Sequence, residues 1–374
     1  MRGRVQFTNV MFYMIDVEAL IPADHPLRGI KRLADEELGR MRGAFNGAYS
    51  PLGRPSIPPE RVIKATLLQA LYTIRSERLL CEQIGYTLLY RWFLDLAPDE
   101  ATWDHSTFSK NRERFAEHGL MKKFFDGAVA RSIQEEAAGS EHFSVDGSLI
   151  QAWGSMKSVR PKDEEPPKDN NGWSDFSGEK RSNATHESVT DPEGRLARKG
   201  KGQSAMLAHS MHVLMDNRHG LMLDVTVAEA NGTAEREQAE AMIKRTKRRH
   251  EWVPKTMGAD KGYDDGAFLV RVERDLKIIP HVAIRDGEIK STDAEGEARR
   301  RARERSKTKG YQISMVVRRR IEPVIGWLKR IGGLMKTRFA QRTKTQLYAY
   351  AAGAAYNLMR LARMEQAKEV KQVA

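Results

Sequence analysis

The sequence predicts a mixed α/β region preceded by a helical region, and three observations carry that reading. Apolar residues recur at helical spacing within residues 1–135, they alternate at 142–150, and short strand-like and helix-like segments then follow one another as far as KIIPHV at 277–282. Of the 374 residues, 40% are hydrophobic and 30% charged, which supports a packed core and argues against wholesale disorder. The length admits two structural units or one decorated catalytic domain.

In the N-terminal region, Ser56 to Glu60 reads as a capping pattern ahead of RVIKATLLQALYTI, where Val62, Leu67, Leu68, Leu71 and Ile74 recur near helical periodicity. Pro58 and Pro59 suit a first turn. A second helix follows from Ser76 to Gly85, and TLLYRWFLDL at 87–96 continues the apolar and aromatic content. Short adjoining helices with Arg54, Arg61, Arg75 and Arg78 nearby fit a helix-turn-helix DNA reader, and equally a pair of core helices. In DHSTFSKNRERF, Asp104 or Ser106 can cap a helix that carries Arg112 and Arg114 toward solvent or a phosphate.

The character changes after Glu141. HFSVDGSLI places Asp146 among alternating apolar positions, a strand signal interrupted by a charge. Residues 153–203 form a polar insertion rich in Gly, Pro, Asn and Ser, partly mobile by composition. MLAHSMHVLMD and GLMLDVTVAEA, separated by Asn217, Arg218 and His219, read as an antiparallel hairpin. A helix from Thr233 to Arg248, a strand ending at Asp260, a helix from Asp265 to Glu273 and the strand KIIPHV complete a mixed layer whose last element is a helix around Glu322. The expected organisation is a helical domain at 1–135, DNA-binding if its helices form the reader, a mixed α/β domain at 136–364 and a short polar tail at 365–374.

Lys and Arg number 63 against 50 acidic residues, and the net +13 is unevenly placed. Arg299 to Lys344 carries sixteen basic residues and two acidic ones, so the excess is concentrated there. A focused basic stretch suits a polyanion, nucleic acid above all; a solvated surface is the plain alternative. No segment approaches the roughly eighteen apolar residues of a membrane span, and no signal-peptide pattern opens the chain, which predicts a cytoplasmic protein without membrane contact. Cys81 stands alone, which excludes an internal disulfide and a multi-cysteine zinc site. His209 and His212, three apart on a strand, point to opposite faces and make a poor metal pair. No phosphate-binding glycine loop implies ATP.

Three carboxylates stand out. Asp146 is costly in an apolar strand unless its charge is answered, as a bound cation would answer it. Asp260 lies where a strand hands over to a loop, the usual ligand position in an open α/β sheet, although capping the next helix would explain it as well. Glu322, in SMVVRRRIEPVIGWLKR, shares one helix face with Arg318 and Lys329 if the helix continues through Pro323. Separated carboxylates suit two Mg²⁺ ions, hard cations that stabilise the attacking and leaving oxygens of phosphoryl transfer.

The strings VDGS at 145–148, GADKGYD at 258–264 and RRRIEPVIGWLKRIGG at 318–333 resemble the bacterial insertion-sequence DDE transposases, specifically the group named after insertion sequence five. RWFLDL, DHSTFSKNRERF, HVLMDNRHGLMLD and NGTAERE extend the likeness over most of the chain. The resemblance implies an RNase H-like catalytic domain with Asp146, Asp260 and Glu322 as the catalytic, metal-binding triad. It also implies two Mg²⁺ ions, with Mn²⁺ as a substitute. Arg318, Glu322 and Lys329 match the family's Tyr, Arg, Glu, Lys signature, whereas its tyrosine position is Met315 here. THESVTD at 185–191 is a further family-like string near the expected site. The implied partners are double-stranded DNA, as element terminal inverted repeats and target, with a homodimer or higher oligomer assembling on it and the protein nucleoid-associated when bound. Arg318, Lys329, Arg330, Arg112 and Arg114 are the DNA-contact candidates. A metal-dependent nuclease without strand transfer and a non-catalytic DNA-binding protein are the competing readings.

Overall fold

The computed structural model describes residues 16–53, 55–162, 181–198, 200 and 202–373. Arg54 and the centre of the polar insertion, 163–180, with the mobility expected there, lie outside the described residues.

Eight helices come first: α1 (Val17–Leu20), α2 (Leu27–Arg40), α3 (Arg42–Ala48), α4 (Pro59–Leu71), α5 (Glu77–Tyr86), α6 (Leu88–Phe93), α7 (Ser106–Glu117) and α8 (Leu120–Gln134). Then follow β1 (His142–Gln151), β2 (Val159–Pro161), β3 (His186–Ser188), β4 (Arg195–Ala197), β5 (Met206–Asp216) and β6 (Met222–Glu229). The remainder is α9 (Ala234–His250), β7 (Thr256–Ala259), α10 (Gly266–Arg274), β8 (Ile279–Val282), α11 (Ala294–Ser306), α12 (Lys309–Arg318), α13 (Ile321–Arg330) and α14 (Arg342–Val373).

The main sheet has the order β6-β5-β1-β7-β8, with β4 continuing the β6 edge of β5. β6, β5 and β1 are antiparallel, while β1, β7 and β8 are parallel. This is the mixed sheet that the sequence pattern predicts, in the RNase H-like form that the resemblance implies, with helices on both faces and a helical N-terminal region. Its register follows the hydrophobic pattern, since Phe143 and Val145 are buried and a one-residue slip would reverse every side chain of β1.

One hydrophobic core runs from Leu27 to Leu361, uniting the N-terminal helices with the sheet. The joining element is α14, whose Ala349, Ala351, Ala352, Ala354 and Ala355 are all fully buried between α2, α4 and α8 on one side and β6 on the other. These small side chains allow a close approach. α14 also closes the free edge of β6. The Asn357 amide accepts from Met222 N (2.9 Å) and donates to Met222 O (2.7 Å), while Gln346 accepts from Val227 N (2.6 Å) and donates to Val225 O (3.1 Å). The two amides lie eleven residues apart, three helical turns, and therefore on one face.

Four expectations change. The last element is α14 rather than the helix around Glu322. The residues expected as a polar tail continue α14 through Val373, and Glu365 pairs with Arg32 of α2 (2.5 Å). Ser56 does not cap α4: the N-cap is Pro58, without a side-chain cap bond, and the Ser56 hydroxyl donates to Ile57 O. The helix through Pro323 is two helices. α12 ends at Arg318 and α13 begins at Ile321, so Pro323 sits in a first turn, where its missing N–H breaks no ladder bond.

Candidate active site

β1 is the middle strand of the sheet, and its alternation divides the site. Ser144, Asp146 and Ser148 face the α12–α13 side, while Gly147 faces α9. Asn217 Nδ2 donates to Ser144 Oγ (2.7 Å), and Arg320 Nη1, just before α13, donates to Asn217 O (2.8 Å). At the other end of α13, Lys329 Nζ donates to Ser148 Oγ and Leu149 O, both at 2.9 Å. α13 therefore runs alongside β1 in the same direction. Glu322 and Lys329, seven residues apart, lie on the same side of α13.

Asp260 is the first residue after β7, the parallel neighbour of β1. Its Oδ1 accepts from Gly262 N at 2.7 Å, bracing the one-turn helix Lys261–Tyr263. The three acids of DKGYDD divide the local work: Asp265 caps α10 through Phe268 N (3.1 Å), and buried Asp264 accepts from Arg285 N (2.7 Å) and pairs with Arg299 (3.2 Å). Asp260 retains a carboxylate oxygen beyond its turn bond and is close enough to Asp146 for the two charges to interact.

Burial above all, then the charges of Asp260 and Glu235, push the Asp146 carboxyl up to about 6, against the pull of the Gly147 N–H (2.8 Å) and Arg318. Glu235, at the start of α9, is also raised, by burial and then by Asp260, with Arg236 opposing. Beneath them the Tyr263 hydroxyl is completely buried without a hydrogen-bond partner, and burial and these three carboxylates hold its pKa well above the usual tyrosine value. Arg318 packs against Gly258 of β7, its Cβ 3.2 Å from where a glycine Cβ would stand, and its charge reaches Asp146.

The structure thus brings together Asp146, Asp260 and Arg318, and adds Glu235, which the sequence reading missed. Glu322 is exposed, and its carboxylate enters no ion pair among the described residues. Arg330 is exposed at the end of α13, whereas Lys329 is tied to β1. Arg112 pairs with Glu77 and lies over the Phe339 ring (4.6 Å), and Arg114 lies over Tyr49 (4.3 Å), so both are engaged inside the fold rather than extended toward a phosphate. The arginines of α11 are likewise engaged: Arg299 on Asp264, Arg301 and Arg305 on Glu273, and Arg303 on the Gly287 carbonyl. From THESVTD, Asp191 is fully buried against His209 Nε2 (3.2 Å), a scaffold contact behind β5.

Residues 140–358 match the family described as "Transposase DDE domain". The chain belongs to that family. Residues 15–114 of this transposase match a second family, "Transposase domain (DUF772)". No curated protein matches. Among solved structures, the transposase is similar to the piggyBac transposase synaptic complex with hairpin DNA (9% identity, 92% of this chain and 74% of that chain, TM-score 0.36). It is also similar to the Mos1 transposase paired-end complex with left transposon end (11% identity, 75% of this chain and 84% of that chain, TM-score 0.20). No helix among the described residues is long and apolar enough to cross a membrane.

DDE transposases use divalent metal ions, and the donor set here fits one in chemistry. Asp146 and Glu235 are both raised despite the nearby charges of Arg318 and Arg236, and a buried hydroxyl beneath them lacks a partner. Among the described residues, no group of three His, Cys, Asp or Glu side chains is already drawn together tightly enough to hold an ion.

Proposed function

We propose that this transposase binds the terminal inverted repeats of an insertion element and catalyses metal-dependent strand cleavage and strand transfer, with Asp146, Asp260 and Glu322 holding the ions. The observation that supports it most is Asp146 itself: a carboxylate in the central strand, pushed up to about 6 by burial and by Asp260 at the end of the neighbouring parallel strand. A structural acid in that position would be paired. When bound, two Mg²⁺ or Mn²⁺ ions supply positive charge to the attacking and leaving oxygens of an in-line displacement.

The residues of the chain do the rest. Asp146 and Asp260 are fixed by the strands and Glu322 by α13, while Lys329 locks α13 to β1 so that the carboxylates keep their relative positions. Arg318 places a positive charge beside Asp146, suited to the scissile phosphate. Exposed Arg330, with Arg319 and Lys336, offers contacts to flanking phosphates. In strand transfer the 3′-hydroxyl of an element end attacks a target phosphodiester; one phosphorus–oxygen ester forms as another breaks, and no covalent protein intermediate is needed. Joining two ends calls for at least two chains on DNA.

The test combines labelled DNA from the flanks of the gene with a supercoiled target in Mg²⁺. Joined products that disappear with Asp146→Asn and Asp260→Asn support the reading. Cleavage without joining assigns the protein as a nuclease, and metal-dependent binding without either assigns a DNA-binding role.

A further inference from the structure

Glu235 and Glu237 both lie in the first turn of α9, and both complement its helix dipole. Only Glu237 is exposed; Glu235 turns inward. Its Oε2 is 2.7 Å, and Asp260 Oδ1 2.9 Å, from the point where a Cβ on Gly262 would stand. Its Oε1 is 3.3 Å from the corresponding point on Gly147, the residue after Asp146. Two bare glycines therefore make room for one carboxylate beside both aspartates, and that carboxylate enters no ion pair among the described residues.

A second, independent observation concerns His212, which pairs across the sheet with Gly147 and is fully buried. Ser210 Oγ donates to Glu229 O (2.9 Å), so it accepts from His212 Nε2 (3.0 Å), and the neutral ring presents its Nδ1 lone pair on the other side. Nδ1 has no hydrogen-bond partner and lies 3.0 Å from the Gly147 point that Glu235 also borders. A buried lone pair beside a carboxylate is repulsive unless a donor, such as a metal-bound water, stands between them. Tyr263, whose unpartnered hydroxyl lies within reach of the same charges, marks the floor of this space.

We propose that Glu235 is a fourth metal-holding carboxylate, serving with Asp260 the Gly147 side of the centre, with His212 Nδ1 turned to the hydration shell of that ion. The inference rests on the reading that Asp146 and Asp260 hold metal. It assigns the two faces of β1 to one centre: Glu322 approaches from α13 and Glu235 from α9.

The test is Mn²⁺ binding to the full chain, followed by the electron paramagnetic resonance signal of free Mn²⁺, for the parent, Glu235→Gln, Glu235→Asp, Asp146→Asn and Asp260→Asn. Glu235→Gln is expected to lose one bound ion or weaken its binding about tenfold or more, and Glu235→Asp to recover part of it. Circular dichroism in EDTA checks that each variant is folded. As a measurement that needs no substitution, Fe²⁺ with ascorbate and peroxide should cut the parent chain near residues 231–236 as well as near 146 and 260. Parent-like Mn²⁺ binding by Glu235→Gln, with binding lost in the aspartate variants, overturns the role of Glu235 and leaves the metal centre standing; cuts near 146 and 260 but none at 231–236 do the same. Parent-like binding by both aspartate variants overturns the metal-centre reading and this inference together.

Discussion

Asp146→Asn should stabilise the metal-free protein at neutral pH, which is the opposite of what most substitutions in a central strand do. The Asp146 carboxyl is raised from 3.8 to about 6, and at 1.36 kcal/mol per pH unit the ionised form carries a cost of about 3 kcal/mol. Asparagine has nearly the same shape and keeps an oxygen to accept from Gly147 N, so the gain should be about 1–3 kcal/mol, a rise of several degrees in Tm. The sign with pH follows from the direction of the shift. Because the folded value lies above the unfolded one, the penalty is absent below about 4 and complete above about 6, so the parent falls behind the variant as pH rises through that window. Mg²⁺ should reverse the order by stabilising the parent and leaving the variant unchanged. The assay is thermal unfolding of both proteins at pH 4.5 and 7.5, in EDTA and in Mg²⁺. A variant less stable than the parent in EDTA at pH 7.5 would refute the claim that the ionised Asp146 carboxylate is held at a net cost.

Glu322→Gln should leave the metal-free Tm unchanged, since its side chain is exposed and unpaired among the described residues, while single-turnover cleavage falls by at least the roughly 10–100-fold that loss of even a supporting residue costs; parent-rate cleavage by the folded variant at subsaturating metal removes Glu322 from the triad. Lys329→Ala abandons Ser148 Oγ and Leu149 O and should cost about 1–3 kcal/mol without DNA present, so an unchanged Tm would return Lys329 to a solvent-facing role. Arg112→Ala leaves Glu77 without its partner and uncovers Phe339; a loss of about 1–3 kcal/mol with end-DNA affinity unchanged at fixed salt is expected, and weakened DNA binding at parent stability would show instead that this arginine reaches DNA.

The strands were legible because each pairs an alternating or apolar run with a turn: β1 at 142–151, the β5–β6 hairpin around Asn217–Gly220, and short β7 ending just before Asp260. Helix α10 was legible over 265–273, although its cap is Asp265 and not Asp260. Helix α14 was not, because amphipathic contrast marks a helix with one wet face. The central part of α14 is buried on all sides, and its string of alanines and tyrosines shows no such contrast. Pro323 signals a break near the Glu322 helix, but sequence does not say which side of that break Arg318 falls on.

The same distinction between local and assembled information explains the site. Asp146 and Asp260 betray themselves locally, one as a charge in an apolar strand and the other at a strand end. Glu235 does not, because an acid in a first helical turn is already explained by the helix dipole, and Glu237 beside it is that and nothing more. What separates the two acids is where the Gly262 turn and Gly147 fall after the sheet has formed. A local trace does exist: a glycine follows Asp146 directly and Asp260 at the second position, and each leaves a gap that no side chain of its own fills. Arg112 shows the converse. In NRERF it looks like a solvent-facing helix cation, and only the folding of α5 and Phe339 against it turns it into an internal clamp. In this chain a charge is therefore diagnostic of chemistry where its own element cannot explain it, and uninformative where a cap, a dipole or a solvated face would serve as well, until the neighbours that answer it, or fail to, are in place.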